Sequence, residues 1–471
     1  MNAPENEPSS LPWFREELRK KMAALEQEIA SHRHTLELLR QTEIAYGRFV
    51  PHQLLRLLKV ESILDLELGE QTEKQMTILF SDIREFTQMS ESMSPKETFA
   101  LINSYLGEME PVISRHRGIV DKYIGDAIMA IFPTSADDGL DCATAMLAQL
   151  DLYNAGRRRA GYAPIRIGTG LNTGIVMLGT VGGTQRMEGT VLSDAVNLAS
   201  RLEGSTKLYK TPLLISESTL SALADASRFR IRFLDRFRVK GKSQGQSVYE
   251  VYDGDPAQIR AGKEATRTRF EEAAAYYHLR SAEKAIPLFE ACLREVPEDY
   301  PARLYLERCR EYLRTGRHEG TGEIGDAMEW RDEFLVGVPE IDEEHKELVA
   351  RMNRLAGRIK SGDLSGIDEI LVFLEGYVRF HFDNEEKTMR AVSYPLLDEH
   401  LHEHRTFSRQ FANLKRDIAS GLHDPLYLGF RIQLFLFDWW AAHMTKTDRH
   451  LGKFIRASRG ERRGMPVAAG D

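Results

Sequence analysis

Seven side chains able to bind metal recur at helical spacings in the C-terminal third of the chain. IDEEHKEL carries His345, HFDNEE carries His381 and Glu385, HLHEH carries His400 and His404, and HMTKTD carries His443 and Asp448. Residues four apart on a helix point to one side, so four helices packed as a bundle would aim these groups at its interior. Neutral imidazoles, together with carboxylates that bridge and offset charge, are what two adjacent iron ions require. A lone histidine on such a helix is more often a packed or surface residue, but a distribution of one, two, two and two over four helices is difficult to produce by chance. Eight of the fourteen histidines lie after residue 340. His402 and Glu399 fall off the ligand face and are expected at the surface, while Phe380, Phe382, Phe407, Trp439 and Trp440 are expected to supply bundle core.

A second constellation lies earlier. MTILFSD reads as a strand ending in an acid, Asp82, and KYIGDAIMAIF offers Asp126 in a turn between two strands. The two carboxylates could converge on a pair of divalent ions, with the Ile83 carbonyl as a further oxygen ligand. Magnesium suits such a site, because it takes carboxylates plus phosphate oxygens and retains water. DAVNLASRLEG places Asn197 and Arg201 on one helix face, an amide to orient a ribose oxygen and a guanidinium to neutralise a phosphoryl oxygen. Spacing alone equally fits a solvated helix face with an acid at its start.

The elements that must position these groups are legible in outline. Leu18, Met22, Leu25, Ile29, His32, Leu36 and Leu39 form a heptad seam in a Pro-free stretch, a parallel coiled coil or an amphipathic helix packed on the next domain. Ser94 and Pro95 start a helix running to His116, residues 118 to 132 read as two strands about Gly125 and Asp126, and a helix covers about 138 to 157. A helix from Ser193 or Asp194 ends near Gly204, and RFRVKGKSQGQSVYEVYD reads as a closing hairpin. Residues 266 to 314 carry alanines, aromatics and leucines at helical spacing, resembling one tetratricopeptide unit and part of a second. Their expected role is mechanical. The expected segments are 1–15 disordered, 16–47 coiled coil, 48–74 connector, 75–256 α/β domain, 257–316 helical linker, 317–329 hinge, 330–458 bundle and 459–471 tail.

Bulk properties narrow the class. A chain of 471 residues with 42% hydrophobic residues holds two or three cores. A formal net charge of -8 gives no reason to expect nucleic-acid binding or a polybasic membrane surface. Apolar runs such as Phe430 to Ala442 are interrupted by Arg431, Gln433 and Asp438 and fall short of the roughly 20 residues that span a bilayer. The N-terminus lacks a secretory pattern, and Cys142, Cys292 and Cys309 are too few and too scattered for a disulfide scaffold. A cytoplasmic location without membrane insertion is the expectation.

Two resemblances sharpen this reading. Residues from about 330 to 458 resemble bacterial hemerythrin-like domains, whose seven ligands fall on the residues named above. The resemblance implies an all-α four-helix bundle, two iron ions bridged by Glu385 and Asp448, and an open position for dioxygen on one iron. Residues from about 75 to 253 resemble the class III adenylate and guanylate cyclase catalytic domain in ILFSDIREFT, DKYIGDAIMA, TVLSDAVNLASRLE and VKGK. That resemblance implies an α+β, ferredoxin-like βαββαβ core with two magnesium or manganese ions on Asp82, Ile83 and Asp126. It further implies transition-state contacts from Asn197 and Arg201, triphosphate binding by Lys240, and base selection by Lys122 and Thr190. A lysine donor suits adenine N1, whereas guanine presents a donor there, so ATP is the expected substrate. Thr190 departs from the Asp of many adenylate cyclases. The family's head-to-tail dimer implies a homodimer with composite sites. The combined expectation is an adenylate cyclase regulated by a di-iron domain that senses dioxygen or nitric oxide. Guanylate cyclase activity, an uncoupled di-iron binding or storage module, and a catalytically dead dimerisation domain are the alternatives.

Overall fold

The computed structural model describes residues 11–47, 52–58, 60, 69–183, 186–238, 245–318, 328–361, 367–420 and 424–464, and the chain divides into two units. Residues up to Thr72 together with Leu178–Thr190 form one, and Glu73–Met177 with Val191–Asp471 the other.

The first unit is led by helix α1 (Leu11–Gly47), followed by the short α2 (His52–Leu57). The described part of this helix includes Leu11 to Arg15, within the stretch expected to be disordered. Leu18, Met22, Leu25, Ile29, Leu36 and Leu39 are all exposed. The Gly69 amide donates to Thr180 Oγ1 at 3.0 Å, and the Thr180 amide to the Glu70 carbonyl at 3.0 Å.

The sheet is built from β1 (Gln71–Ile83), β2 (Ile119–Ile124), β3 (Ala127–Phe132), β4 (Ile167–Gly183), β5 (Arg186–Leu192), β6 (Leu213–Ser216), β7 (Ile231–Arg238) and β8 (Gly245–Val251). Its order is β2-β3-β1-β4-β6-β8-β7, with β5 beside β4. Between strands lie α3 (Phe86–Glu91), α4 (Pro95–Arg115), α5 (Ala136–Arg159), α6 (Asp194–Tyr209) and α7 (Glu217–Ala222). The first four strands with α4 and α5 follow the expected βαββαβ order.

Local chemistry sets most boundaries. Ser94 accepts from the Glu97 amide while Glu97 accepts from the Ser94 amide, a reciprocal cap that fixes the start of α4. α4 then buries Leu101, Tyr105, Met109, Val112 and Ile113 at helical spacing. Ser135 caps α5, with Asp137 and Asp138 in the first turn and three arginines in the last, both favourable to the helix dipole. α6 does not stop near Gly204 as expected. It continues to Tyr209 because Leu202, Thr206 and Tyr209 are buried, which outweighs the roughly 1 kcal/mol cost of an interior glycine. Strands β7 and β8 form the expected antiparallel hairpin; its tip, 239–244, lies outside the described residues.

α4 and α5 pack on the sheet through Leu79, Ile128 and Phe132 against Tyr105, Met109, Leu140 and Met146. Elsewhere α6 and three further helices, α8 (Ala257–His278), α9 (Ala282–Glu295) and α10 (Tyr300–Thr315), share a core with Leu214, Phe233 and Val248. These helices are pinned by buried charge. Arg232 of β7 pairs with Glu250 at 2.6 Å and with Asp299, before α10, at 2.7 Å, every partner being fully buried. Asp235 is held by Tyr209, His278 and Arg308 from α6, α8 and α10. Removing one member of such a network strands its partner's charge and costs about 3–5 kcal/mol, so the helical segment is fixed on the sheet.

The last domain comprises α11 (Pro339–Lys360), α12 (Ile367–Ala391), α13 (Leu397–Ala419) and a fourth helix interrupted twice. That helix runs α14 (Pro425–Ile432), a π-helical turn Gln433–Asp438, α15 (Trp439–His443), a second π-helical turn Met444–Asp448, and α16 (Arg449–Gly464). Phe382, Phe407, Trp439 and Trp440 lie in its core as expected. Phe380 does not. It is 53% exposed, because it precedes the ligand-facing His381 by one residue and is rotated off the inner face.

Candidate metal centre and cyclase site

The sequence places the seven expected ligands on four helices, and packing brings them together. His345, His381, Glu385, His400, His404, His443 and Asp448 are all buried, none more than 2% exposed. Ligand atoms of Glu385, His400, His404 and His443 lie within 4.8 Å of one another, as do those of His345, His381 and Glu385. The cluster therefore has a three-histidine half and a two-histidine half that share Glu385.

Asp448 spans both halves. Its Oδ2 is 3.2 Å from His345 Nε2, and its Oδ1 is 3.3 Å from His400 Nε2 and 3.1 Å from His443 Nε2. Glu385 Oε2 lies 3.5 Å from His381 Nε2 and 3.4 Å from His404 Nε2. The five Nε2 atoms and all four carboxylate oxygens are buried without a hydrogen-bond partner. So many converging unsatisfied groups would be costly in a merely structural core, and their donor set fits a pair of iron ions.

Electrostatics follow from the same crowding. Burial holds His404 down to about 4, so its ring is neutral and free to ligate. Burial alone would also lower His400, but Asp448 and Glu385 push it up to about 10. A proton there must leave when metal binds.

Three glutamates behind the ligands escaped the sequence reading. Glu344 Oε2 accepts from His381 Nδ1 at 2.7 Å, Glu386 Oε1 from His404 Nδ1 at 3.3 Å, and Glu403 Oε2 from His443 Nδ1 at 2.7 Å. Each stands next to a ligand in the chain, about 100° round its helix, and so reaches the back of a histidine on the following helix. Such partners fix the tautomer and the ring orientation. The available signal was an acid adjacent to each ligand, in EEH, NEE and HEH. Aromatic rings complete the enclosure: Phe382 stacks on His404 at 3.7 Å, Trp439 on His443 at 4.4 Å, and Trp440 lies 5.6 Å from His381. His402 and Glu399 are half-buried rather than at the surface, because α13 turns this flank toward the sheet of the α/β domain.

In the α/β domain, Asp82 ends β1 and Asp126 stands in the β2–β3 turn beside Gly125, whose φ of 66° suits glycine. The register Ser81↔Ile128 carries the two acids to the same end of the sheet. Burial, then the Asp82 carboxyl beside it, push Asp126 up to about 7, as expected of two carboxylates sharing one site. Gly168 and Gly170 admit α6 against β4: a Cβ would fall 1.1 Å from Arg84 Nη2 at the first and 2.2 Å from the Glu203 amide at the second. There Arg84 pairs with Glu203 at 2.8 Å, and Lys207 stands 3.6 Å from Asp82.

Asn197 and Arg201 are exposed on α6. At 100° per residue they lie about 80–160° round the helix from Glu203 and Lys207, the residues on the side of their own chain's Asp82. Lys122 is half-buried beside Asp121, 3.5 Å away, and Thr190 is buried in β5. Lys240 lies outside the described residues.

No helix among the described residues is long and apolar enough to cross a membrane. Comparison with known proteins finds matches to both halves. A curated adenylate cyclase of Anabaena cylindrica is 44% identical over 223 residues, covering 45% of this chain and 44% of its own. The terminal-differentiation-specific adenylate cyclase of Dictyostelium discoideum is 35% identical over 292 residues, covering 61% of this chain and 14% of its own. The chain thus spans less than half the length of either relative. The crystal structure of the adenylyl cyclase CyaB from P. aeruginosa shares 32% identity over 39% of this chain and 95% of that one, with a TM-score of 0.35. Residues 68–252 match the adenylate and guanylate cyclase catalytic domain, and residues 336–455 match the hemerythrin HHE cation-binding domain. The chain thus carries an adenylate and guanylate cyclase catalytic domain of class III over residues 68–252 fused to a hemerythrin-like di-iron domain over residues 336–455.

Proposed function

We propose that the chain is an adenylate cyclase that forms 3′,5′-cyclic AMP and pyrophosphate from ATP at a homodimer interface, under the control of its di-iron bundle. The observation that carries the composite site is the geometry of α6: Asn197 and Arg201 face solvent, turned away from the face that meets Asp82 of the same chain. They are positioned to serve a second copy.

Asp82, Asp126 and the Ile83 carbonyl would hold two magnesium or manganese ions, which when bound supply a lowered pKa for the ribose 3′-hydroxyl and neutralise the phosphates. Asn197 of one copy aligns the ribose so that the 3′-oxygen faces the α-phosphorus. Arg201 and Lys240 offset the charge that grows as the bond to pyrophosphate breaks. Lys122 donates to adenine N1 and Thr190 reads its exocyclic edge. Proton loss goes to water or to substrate phosphate.

In the bundle, His345, His381, Glu385, His400, His404, His443 and Asp448 would hold two iron ions, which supply a binding position for dioxygen or nitric oxide. The two-histidine half offers fewer protein donors and so the room for such a ligand.

The test is the rate of cyclic nucleotide formation from ATP and from GTP by iron-loaded protein, reduced without oxygen and then oxidised in air. ATP turnover that differs severalfold between the states is expected. Preference for GTP would overturn the substrate, equal rates the regulation, and no turnover the enzyme.

A further inference from the structure

The fourth helix of the bundle is held at two points on the cyclase sheet, with two metal ligands between them. At the first, Tyr427, Phe430 and Leu434 enter the core beneath α8, where Phe430 lies 5.3 Å from Phe233, and Asp438 pairs with Arg236 of β7 at 2.6 Å. At the second, His450 Nε2 donates to Glu73 Oε2 at 2.7 Å, while its Nδ1 accepts from the Tyr394 hydroxyl at 2.6 Å. The Tyr394 ring stands edge-on to the ligand His400, with centroids 6.3 Å apart.

Between these points lie His443 and Asp448, which bound the π-helical turn Met444–Asp448. A π turn carries an extra residue relative to α, and such turns recur at functional sites. Any shift of Asp448 toward or away from the histidines alters the winding of that turn, and His450, two residues on, must rotate with it. The flanking structure leaves room. A cavity of about 930 Å³ separates bundle and sheet here, bordered by Glu73, Met76 and Thr77 on one side and Tyr394, His400 and His450 on the other.

Glu73 stands near the start of β1, whose residues from Met76 to Ile83 are buried apart from Asp82 and whose far end presents Asp82 and Ile83. A strand packed on both sides moves as a unit rather than deforming. The geometry points to a strut, Tyr394–His450–Glu73, through which a change at the di-iron ligands reaches the cyclase metal site along β1. This rests on the reading that the bundle regulates the cyclase. Glu73 is 42% exposed, and a pairing so open to solvent biases an equilibrium by only about two- to fivefold, which sets the size of the effect.

The experiment uses the full iron-loaded chain, dithionite-reduced and air-oxidised, as wild type, Glu73→Ala and Tyr394→Phe. Two quantities are read in each: the ratio of cyclase rates between the two states, and the difference in amide hydrogen exchange over residues 71–83. The expected result is a rate ratio of about two- to fivefold in wild type that falls to one in both variants, with the iron absorption spectrum unchanged. Variants that keep the wild-type ratio would overturn the strut and leave the regulation standing. Equal wild-type rates with no state-dependent exchange would remove both. Should the rates be equal or absent, exchange decides: a state-dependent difference lost in Glu73→Ala upholds the strut, and one that persists there overturns it.

Discussion

At the scale of single residues, the metal cluster depends on a relay of glutamates as much as on its ligands. Glu344 serves His381, Glu386 serves His404 and Glu403 serves His443, so each helix steadies a ligand on the next. Glu403 also accepts from Thr447 at 3.0 Å, which ties two helices at one carboxylate. Burial would raise the Glu403 carboxyl, but His443 holds it below its ordinary value, so it stays charged against the ring. Glu403→Ala should therefore lower iron affinity about 10- to 100-fold. Chelator competition checks this, and iron retention equal to wild type, with normal helix content by circular dichroism, would remove Glu403 from the site.

At the scale of elements, the contact of α7 with the bundle stores a pH dependence. Glu217 opens α7. Burial, followed by the nearby Asp438 carboxyl, pushes it up to about 8, against the lowering influence of Arg236 and Lys446. Asp438 is itself pushed up to about 6 by burial, which the Arg236 guanidinium opposes. For an acid whose pKa is raised on folding, the native state binds the proton more tightly than the unfolded chain. Its stabilising contribution is complete below the unfolded value, 4.5 for Glu217, and is lost as pH rises through about 8. Glu217→Gln removes that loss. The margin by which its melting temperature exceeds that of wild type should grow by about 2 to 4 °C between pH 6 and pH 9. Differential scanning calorimetry at the two pH values decides it, and an unchanged difference between them would mean that Glu217 ionises freely.

At the scale of the whole molecule, catalysis is expected only where two copies meet. The exposed seam of α1 offers Leu18, Met22, Leu25 and Ile29 at coiled-coil spacing, and α6 presents Asn197 and Arg201 outward. A two-fold dimer then has two composite sites. Asp82→Asn and Arg201→Ala should each be nearly inactive alone. Co-folded in equal amounts, half the dimers would be mixed, each with one intact site, so activity should return to about a quarter of wild type. A mixture no more active than its parents would show that one chain supplies a whole site.

The sequence by itself determined what depends on neighbours along the chain. Ser94 with Glu97 caps α4 wherever that helix packs, and a spacing of four puts His400 and His404 on one face in any bundle. Likewise the glycine turn between β2 and β3 holds Asp126 at the end of its hairpin. Tertiary structure decided which faces meet. Only packing shows that Glu403 backs His443, that Phe380 turns outward, and that α6 runs through Gly204 because Tyr209 is buried. Only packing sets His450 against Glu73, 377 residues away in the chain. Local spacing fixes the direction of a side chain on its element, whereas its partner is chosen by the burial and pairing of groups far apart in sequence.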